Sequence, residues 1–336
     1  MSPHFSLFYP EIIKSYDDVY IISKVASEVK SRSEVDTTTY FCGINLSLPL
    51  IPSPMLDVVD LSTAPIYKEC GLLSILPRFK NDKLSLIDYL SRERNFDDPL
   101  AGIAIGLDTS EEEIVKYIKF GVKRFCLDIA NGFSTLVEPT FEMFSKLKKE
   151  FGDLYLITGN VADHKGYDYL AQQYLTYNLS GAIRVGIGGG HACSTKIETG
   201  IHLPTAMSIM DINLYSMLRH STHQRIQLIA DGGINKPADM CKAIALGADV
   251  VMAGSIFASC IDSCAKIDSS GHKIYRGSAS FSVQSEYKDV SKINYVEGLN
   301  TSLLATDDIR NLINRYTNGY KSFLSYINLT KGLTHV

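Results

Sequence analysis

One cysteine stands in a glycine-rich run: Gly186-Ile187-Gly188-Gly189-Gly190-His191-Ala192-Cys193-Ser194-Thr195-Lys196. The run directly follows an apolar, strand-like stretch, Ala182 to Val185. Glycines let a backbone take positive φ and approach a ligand or ion closely. A cysteine held in such a loop is a candidate nucleophile, because surrounding backbone N–H groups or a cation stabilise its thiolate. Thr195, two residues on, is placed to relay a proton. Two further strings, Asp231-Gly232-Gly233 and Gly254-Ser255, each follow an apolar run. Paired loops of this kind bind phosphate through backbone N–H groups. A carboxylate would repel phosphate, so Asp231 is expected to accept hydrogen bonds from a sugar hydroxyl. The glycines before Cys193 are not a dinucleotide fingerprint, since the final spacing and the acidic residue about 20 positions on are missing.

These residues need a frame that brings them to one place. Eight short apolar runs read as buried strands: 48–51, 72–76, 102–105, 124–128, 154–158, 182–186, 227–230 and 249–253. Most are unbroken Ile, Val and Leu, as expected when both faces are covered. Helical patterns separate them. Thr109-Ser110-Glu111-Glu112-Glu113 is a capped acidic helix start, with Ile114, Tyr117 and Ile118 on one face. Tyr167, Leu170, Ala171 and Tyr174 share the helical spacing, and Pro237 opens a helix that ends near Gly247. Strand–helix repeated eight times predicts an α/β fold of the (β/α)8 barrel type, with a doubly wound open sheet as the alternative. In a barrel, chemistry gathers at the C-terminal strand ends. There lie Asp128, Asn131, Asn160, the Cys193 loop, Asp231 and Gly254-Ser255. The reading is a single domain over 1–336: an N-terminal arm over 1–45, an active-site flap over 266–300 and a C-terminal segment over 301–336 with a final helix.

Composition bounds the function class. With 21% charged residues and a net charge of −4, no basic surface argues for nucleic acid. The seven cysteines show no pairing pattern, which favours a reduced, cytoplasmic protein. Cys260 and Cys264 lack a matching His or Cys pair, so zinc is not expected. No signal peptide or membrane-length apolar run is evident.

The chain resembles the inosine monophosphate dehydrogenase / GMP reductase family from about residue 18 to 330. The marks are Ser31-Arg32-Ser33-Glu34-Val35-Asp36, Leu127-Asp128-Ile129-Ala130-Asn131-Gly132, Gly159-Asn160-Val161, the Cys193 loop, Ala230-Asp231-Gly232-Gly233-Ile234 and Tyr275-Arg276-Gly277. The first two strings resemble the reductase versions. No paired nucleotide-binding regulatory insert interrupts the barrel, and the flap from Tyr275 to Glu297 lacks the Arg-Tyr pair with which the dehydrogenases activate water.

The resemblance implies an oxidoreductase of purine metabolism. Cys193 would attack C2 of GMP, ammonia would leave a covalent thioimidate, and NADPH would deliver hydride to give IMP. Thr195 and Glu297 would handle protons on the departing ammonia. Asp231, Gly232, Gly233, Gly254 and Ser255 would hold ribose and phosphate, with Gly277, Ser278 and Gly298 nearby. Asp128, Ala130 and Asn131 would line the nicotinamide site. Ser31 and Arg32 would reach a neighbouring subunit's cofactor, which implies a homotetramer, and Arg32 or Arg78 would meet a cofactor 2′-phosphate. Carbonyls of Gly188, Gly190 and Cys193 would ligate a monovalent cation such as potassium.

Several positions depart from the family pattern. Ser278 stands for a methionine under the base, Asn294 for an arginine, and Pro77-Arg78 for a His-Lys pair. One extra residue precedes Asp57 in Ser53-Pro54-Met55-Leu56-Asp57, Lys196 replaces an arginine, and His191 replaces a serine. Such changes point to a divergent reductase acting on GMP or on a modified or deoxy purine nucleotide. An IMP dehydrogenase-type enzyme and a non-catalytic nucleotide-binding protein are the alternatives.

Overall fold

A computed structural model describes residues 4–8, 11–78, 100–219, 225–286, 289–293 and 296–333. Asn294, one of the departing positions, lies outside the described residues.

Two hairpins precede the main sheet: β1 (Phe5–Phe8) with β2 (Tyr20–Ser23), and β3 (Thr39–Phe41) with β4 (Ile44–Leu46). Eight strands follow: β5 (Leu50–Pro52), β6 (Ser74–Leu76), β7 (Ala101–Ile105), β8 (Arg124–Leu127), β9 (Tyr155–Val161), β10 (Ser180–Val185), β11 (Gln227–Asp231) and β12 (Val250–Ala253). They form one parallel sheet in which sequence neighbours are spatial neighbours, and the last strand, β12, pairs with the first, β5. β5 also lies against β6, so the sheet curls into a nearly closed barrel. A doubly wound sheet would reverse its strand order partway, and this sheet does not. The eight strands overlap the eight apolar runs of the sequence, with ends that coincide or shift by up to three residues.

The pleat explains the composition of those runs. Ile75, Ala104, Cys126, Ile157, Ala182, Ile229 and Met252 point into the barrel and form one cluster. Alternate residues such as Ile103, Phe125, Leu156, Ile183, Leu228 and Val251 face the helices and belong to a second cluster. Both faces are buried, so nothing polar is needed in mid-strand. The β3–β4 hairpin plugs the N-terminal end: Phe41, Cys42, Ile44 and Leu46 join the interior cluster, and Arg124 Nε donates to Cys42 O at 2.9 Å.

Helices Glu111–Lys119, Glu138–Phe151, His164–Thr176, Thr205–Arg219 and Pro237–Leu246 surround the sheet. Ser110 caps the first by accepting from Glu113 N, and Ile114 and Tyr117 are its buried face. Tyr167, Leu170, Ala171 and Tyr174 are buried on the helix His164–Thr176. The final helix, Ile309–Tyr326, packs on the helices Pro237–Leu246 and Ala64–Glu69. It therefore fills the last place in the outer ring. Between β12 and that helix the chain makes an excursion across the C-terminal end of the barrel, including the hairpin of β13 (Lys273–Arg276) and β14 (Asn300–Leu303). No helix among the described residues is long and apolar enough to cross a membrane.

Candidate active site

Pleat parity sets the floor of the site. Side chains two residues apart on a strand share a face. Inward-facing Cys126, Ala182 and Ile229 are therefore followed, one step higher, by Asp128, Arg184 and Asp231, all at the C-terminal mouth. Arg184 Nη2 lies 2.9 Å from Asp231 Oδ2 and its Nε donates to the same oxygen at 3.0 Å. Its Nη1 lies 3.3 Å from Asp128 Oδ1. Burial disfavours the Arg184 charge, but Asp231, Cys126 and Asp128 more than offset that, so the guanidinium is held charged above its usual range. Asn160 Nδ2 donates to Asp231 Oδ2 at 2.8 Å and to Gly186 O at 2.8 Å. Asp231 thus spends one oxygen on protein donors, and among the described residues no protein donor takes its Oδ1. That geometry suits an acceptor for a hydroxyl.

Above this floor lies a cavity of about 500 Å³. The connection 186–226, the longest between barrel strands, forms one wall and carries Cys193. Its turn requires glycine at Gly186, where φ is +132° and a Cβ would come within 2.3 Å of Asp231 O. The flap locks onto this loop through the backbone. Leu299 N donates to Ala192 O at 2.9 Å, Ser194 N to Glu297 O at 3.1 Å, and Cys193 bridges Gly298. The Cys193 thiol consequently sits 3.2 Å from Thr195 Oγ1, which donates to Glu297 Oε2 at 2.9 Å. A thiol, a hydroxyl and a carboxylate in series form a path along which a proton can move beside a nucleophile. In the core, burial pushes the thiol of Cys126 up to about 11, and those of Cys241 and Cys260 up to about 12.

Asp231, Gly232, Gly233, Gly254, Ser255, Gly277 and Ser278 line the same cavity as Cys193, Thr195 and Glu297. So do Asp128, Ala130 and Arg78 on the opposite side, with Arg78 Nε 3.5 Å from Asp128 Oδ2. Gly188 and Gly190 also line it; the Gly190 carbonyl accepts from Cys193 N at 3.1 Å and keeps a second lone pair. Gly298 does not line the cavity. It is buried between Cys193 and Ser280, where a Cβ would meet Ser280 N at 2.5 Å, so its part is to let the flap pack closely. Asn131 is exposed, does not line the cavity and turns its Oδ1 to Phe133 N at 3.0 Å. Ser31 and Arg32 are exposed on the arm, in a short turn against the final helix, and the fold of one chain does not bring them to the cavity.

Sequence reasoning missed several lining residues. Arg184 is a charge inside an otherwise apolar strand, which is itself a signal. Asn160 was visible at a strand end but was given no role. Gln284, on the short flap helix Phe281–Gln284, and Met55 also line the cavity, and nothing in their spacing announces it. Of the departing positions, Arg78, His191 and Ser278 line the cavity, whereas Lys196 is exposed outside it. Among the described residues no cluster of His, Cys, Asp and Glu could hold a metal ion.

Residues 14–331 match the model of the IMP dehydrogenase / GMP reductase domain. A GMP reductase of Chromobacterium violaceum is 33% identical over 272 residues, 79% of each chain. One of Streptococcus suis is 30% identical over 315 residues, covering 93% of this chain and 89% of the relative. One of Streptococcus pneumoniae is 30% identical over 318 residues, covering 94% and 90%.

Proposed function

The chain belongs to the IMP dehydrogenase / GMP reductase domain family, and from that premise we propose that it is a GMP reductase-type oxidoreductase that uses NADPH to convert GMP, or a closely related purine nucleotide, to IMP and ammonia. The observation that carries the reading is the series Cys193 Sγ, Thr195 Oγ1 and Glu297 Oε2, joined at 3.2 and 2.9 Å at the edge of one cavity.

The residues divide the work. The Cys193 thiolate adds to C2 of the base, and the bond from C2 to the exocyclic amine breaks. An amine leaves only as it gains a proton, and the Thr195–Glu297 pair is placed to hand one over. Ammonia departs and the base stays joined to Cys193 as a thioimidate. NADPH held beside Asp128 and Ala130 would supply a hydride for C2, and Cys193 would then leave as thiolate as the C–S bond breaks. Covalent attachment splits one hard displacement into two easier steps. Asp231 orients the ribose through its outward oxygen, and the turns at Gly232-Gly233 and Gly254-Ser255 hold the phosphate. Asp128 and Ala130 line the nicotinamide site, with Arg78 beside them. Asn131, Ser31 and Arg32 serve only if a neighbouring subunit completes the cofactor site, so the reading includes a homotetramer. Potassium would rest on the carbonyls of Gly188, Gly190 and Cys193, whose oxygen chemistry suits a hard monovalent ion.

Ser278 and His191 line the cavity where the family carries other side chains, which favours a modified or deoxy purine nucleotide as a second reading. The test is NADPH absorbance with purified protein, potassium and a panel of nucleotides. Loss of absorbance that requires GMP supports the main reading. Loss only with a modified nucleotide supports the second. NAD reduction with IMP would make the protein a dehydrogenase.

A further inference from the structure

Besides its backbone bonds to the cysteine loop, the flap is fastened to the barrel body by a buried ion pair between Asp57 and Arg276. Asp57 follows the first barrel strand, on the loop whose Ser53, Pro54 and Met55 line the cavity, and its side chain is 1% exposed. It accepts from the backbone N of Arg276 at 2.8 Å, from Nε at 3.0 and 3.1 Å, and from Nη2 at 2.6 Å. The remaining arm of the guanidinium, Nη1, donates at 2.5 Å to Glu286, an exposed carboxylate farther along the flap. Arg276 therefore joins a fixed, buried anion of the barrel to a solvent-side anion of the flap. A planar fork does this; a lysine would not.

The pair sits one residue from the junction that assembles the site. Gly277 N donates to Leu299 O at 2.9 Å, and Leu299 N donates to Ala192 O. A Cβ on Gly277 would lie 2.4 Å from Ala192 O and 3.0 Å from Gly298 Cα, so three segments meet there without slack. These are the cysteine loop, the start of the flap and the segment 297–299 that carries Glu297 into β14. A displacement of Arg276 passes through Gly277 to Leu299 and thence to Glu297.

We propose that Asp57 and Arg276 are positioning residues that fix the registry of the flap, and with it the distance from Glu297 to Thr195 and Cys193. This rests on the reductase reading given above.

The experiment compares wild type with Arg276→Lys, Asp57→Asn and Glu286→Gln. It records kcat and KM for GMP, thermal midpoint, and amide hydrogen exchange over 296–299 in nucleotide-free protein. Displacing a reacting group by about 1 Å costs up to about 100-fold. The expected result is a fall in kcat of about 10- to 100-fold for Arg276→Lys and Asp57→Asn, with KM for GMP little changed and faster exchange over 296–299. Glu286→Gln is expected to show a smaller effect in the same direction. Full kcat and unchanged exchange in folded Arg276→Lys would overturn the proposal, as would a rise in KM alone. If Asp57→Asn does not fold, Arg276→Lys and the surface variant Glu286→Gln decide. Wild type inactive on every purine nucleotide would refute the reductase reading instead, and the exchange measurement would still test the clamp.

Discussion

Glu297→Gln isolates proton transfer from architecture. The glutamine has the same shape, and its carboxamide oxygen still accepts from Thr195 Oγ1, so the 2.9 Å contact and the backbone bond from Ser194 N to Glu297 O are kept. What disappears is an acid that can protonate the leaving amine. General acid catalysis contributes about 10²- to 10⁴-fold, or about 3–5 kcal/mol of barrier. The forward reaction, followed by ammonia release and NADPH loss, is expected to slow by that factor. The reverse half-reaction provides the control. With IMP and NADP+, Cys193 adds to C2 as hydride leaves to the cofactor, and no amine needs protonating. Its single-turnover burst of NADPH is expected to slow less than about tenfold. If both directions slow equally, Glu297 activates the thiol rather than the leaving group, and the reasoning fails. If neither slows, the Thr195–Glu297 pair does not move the proton.

Arg184→Met leaves Asp128 and Asp231 without their shared cation and should destabilise the protein by about 3–5 kcal/mol, read as a lower urea midpoint. Gly277→Ala forces a Cβ to within 2.4 Å of Ala192 O; about 1–3 kcal/mol of strain is expected, with kcat falling further than stability would explain, checked by kinetics and thermal melts in parallel. Burial and Glu138 push the Tyr169 phenol up to about 12, and burial raises Tyr174 as well. A raised folded pKa contributes stability that is complete below the ordinary phenol value of about 10 and is lost as pH climbs toward the folded one. Unfolding free energy should therefore decline between about pH 10 and 12, with phenolate absorbance of the buried Tyr174 appearing together with unfolding. Earlier phenolate absorbance from that residue without unfolding would contradict this.

The barrel was legible in the sequence because its signal is local. An unbroken apolar run bounded by turns reads as a strand buried on both faces, but the runs alone leave barrel and doubly wound sheet open, and the pairing of β12 with β5 decides between them. The Cys193 loop was legible because glycine density marks a backbone constraint. Glu297 was not readable from spacing: it meets Thr195 through space, 102 residues away in the chain, and entered only through the family resemblance. Arg184 stands one pleat step above Ala182, yet only the assembled barrel places its guanidinium between two aspartates of other strands. The plug formed by Phe41 and Ile44 was likewise hidden in an arm that showed no periodicity long enough to interpret. Asp57 stands out in the sequence only beside an irregularity and Arg276 only as part of a family string, because an ion pair spanning 219 positions has no local signature.

The covalent bond at Cys193 is the central claim, and mass spectrometry of the protein after incubation with IMP and NADP+ tests it most directly. The account predicts an added purine nucleotide on the peptide containing Cys193, formed together with NADPH and absent in Cys193→Ala. NADPH production without any adduct in acid-quenched samples across the burst, or an adduct on another cysteine, would contradict it.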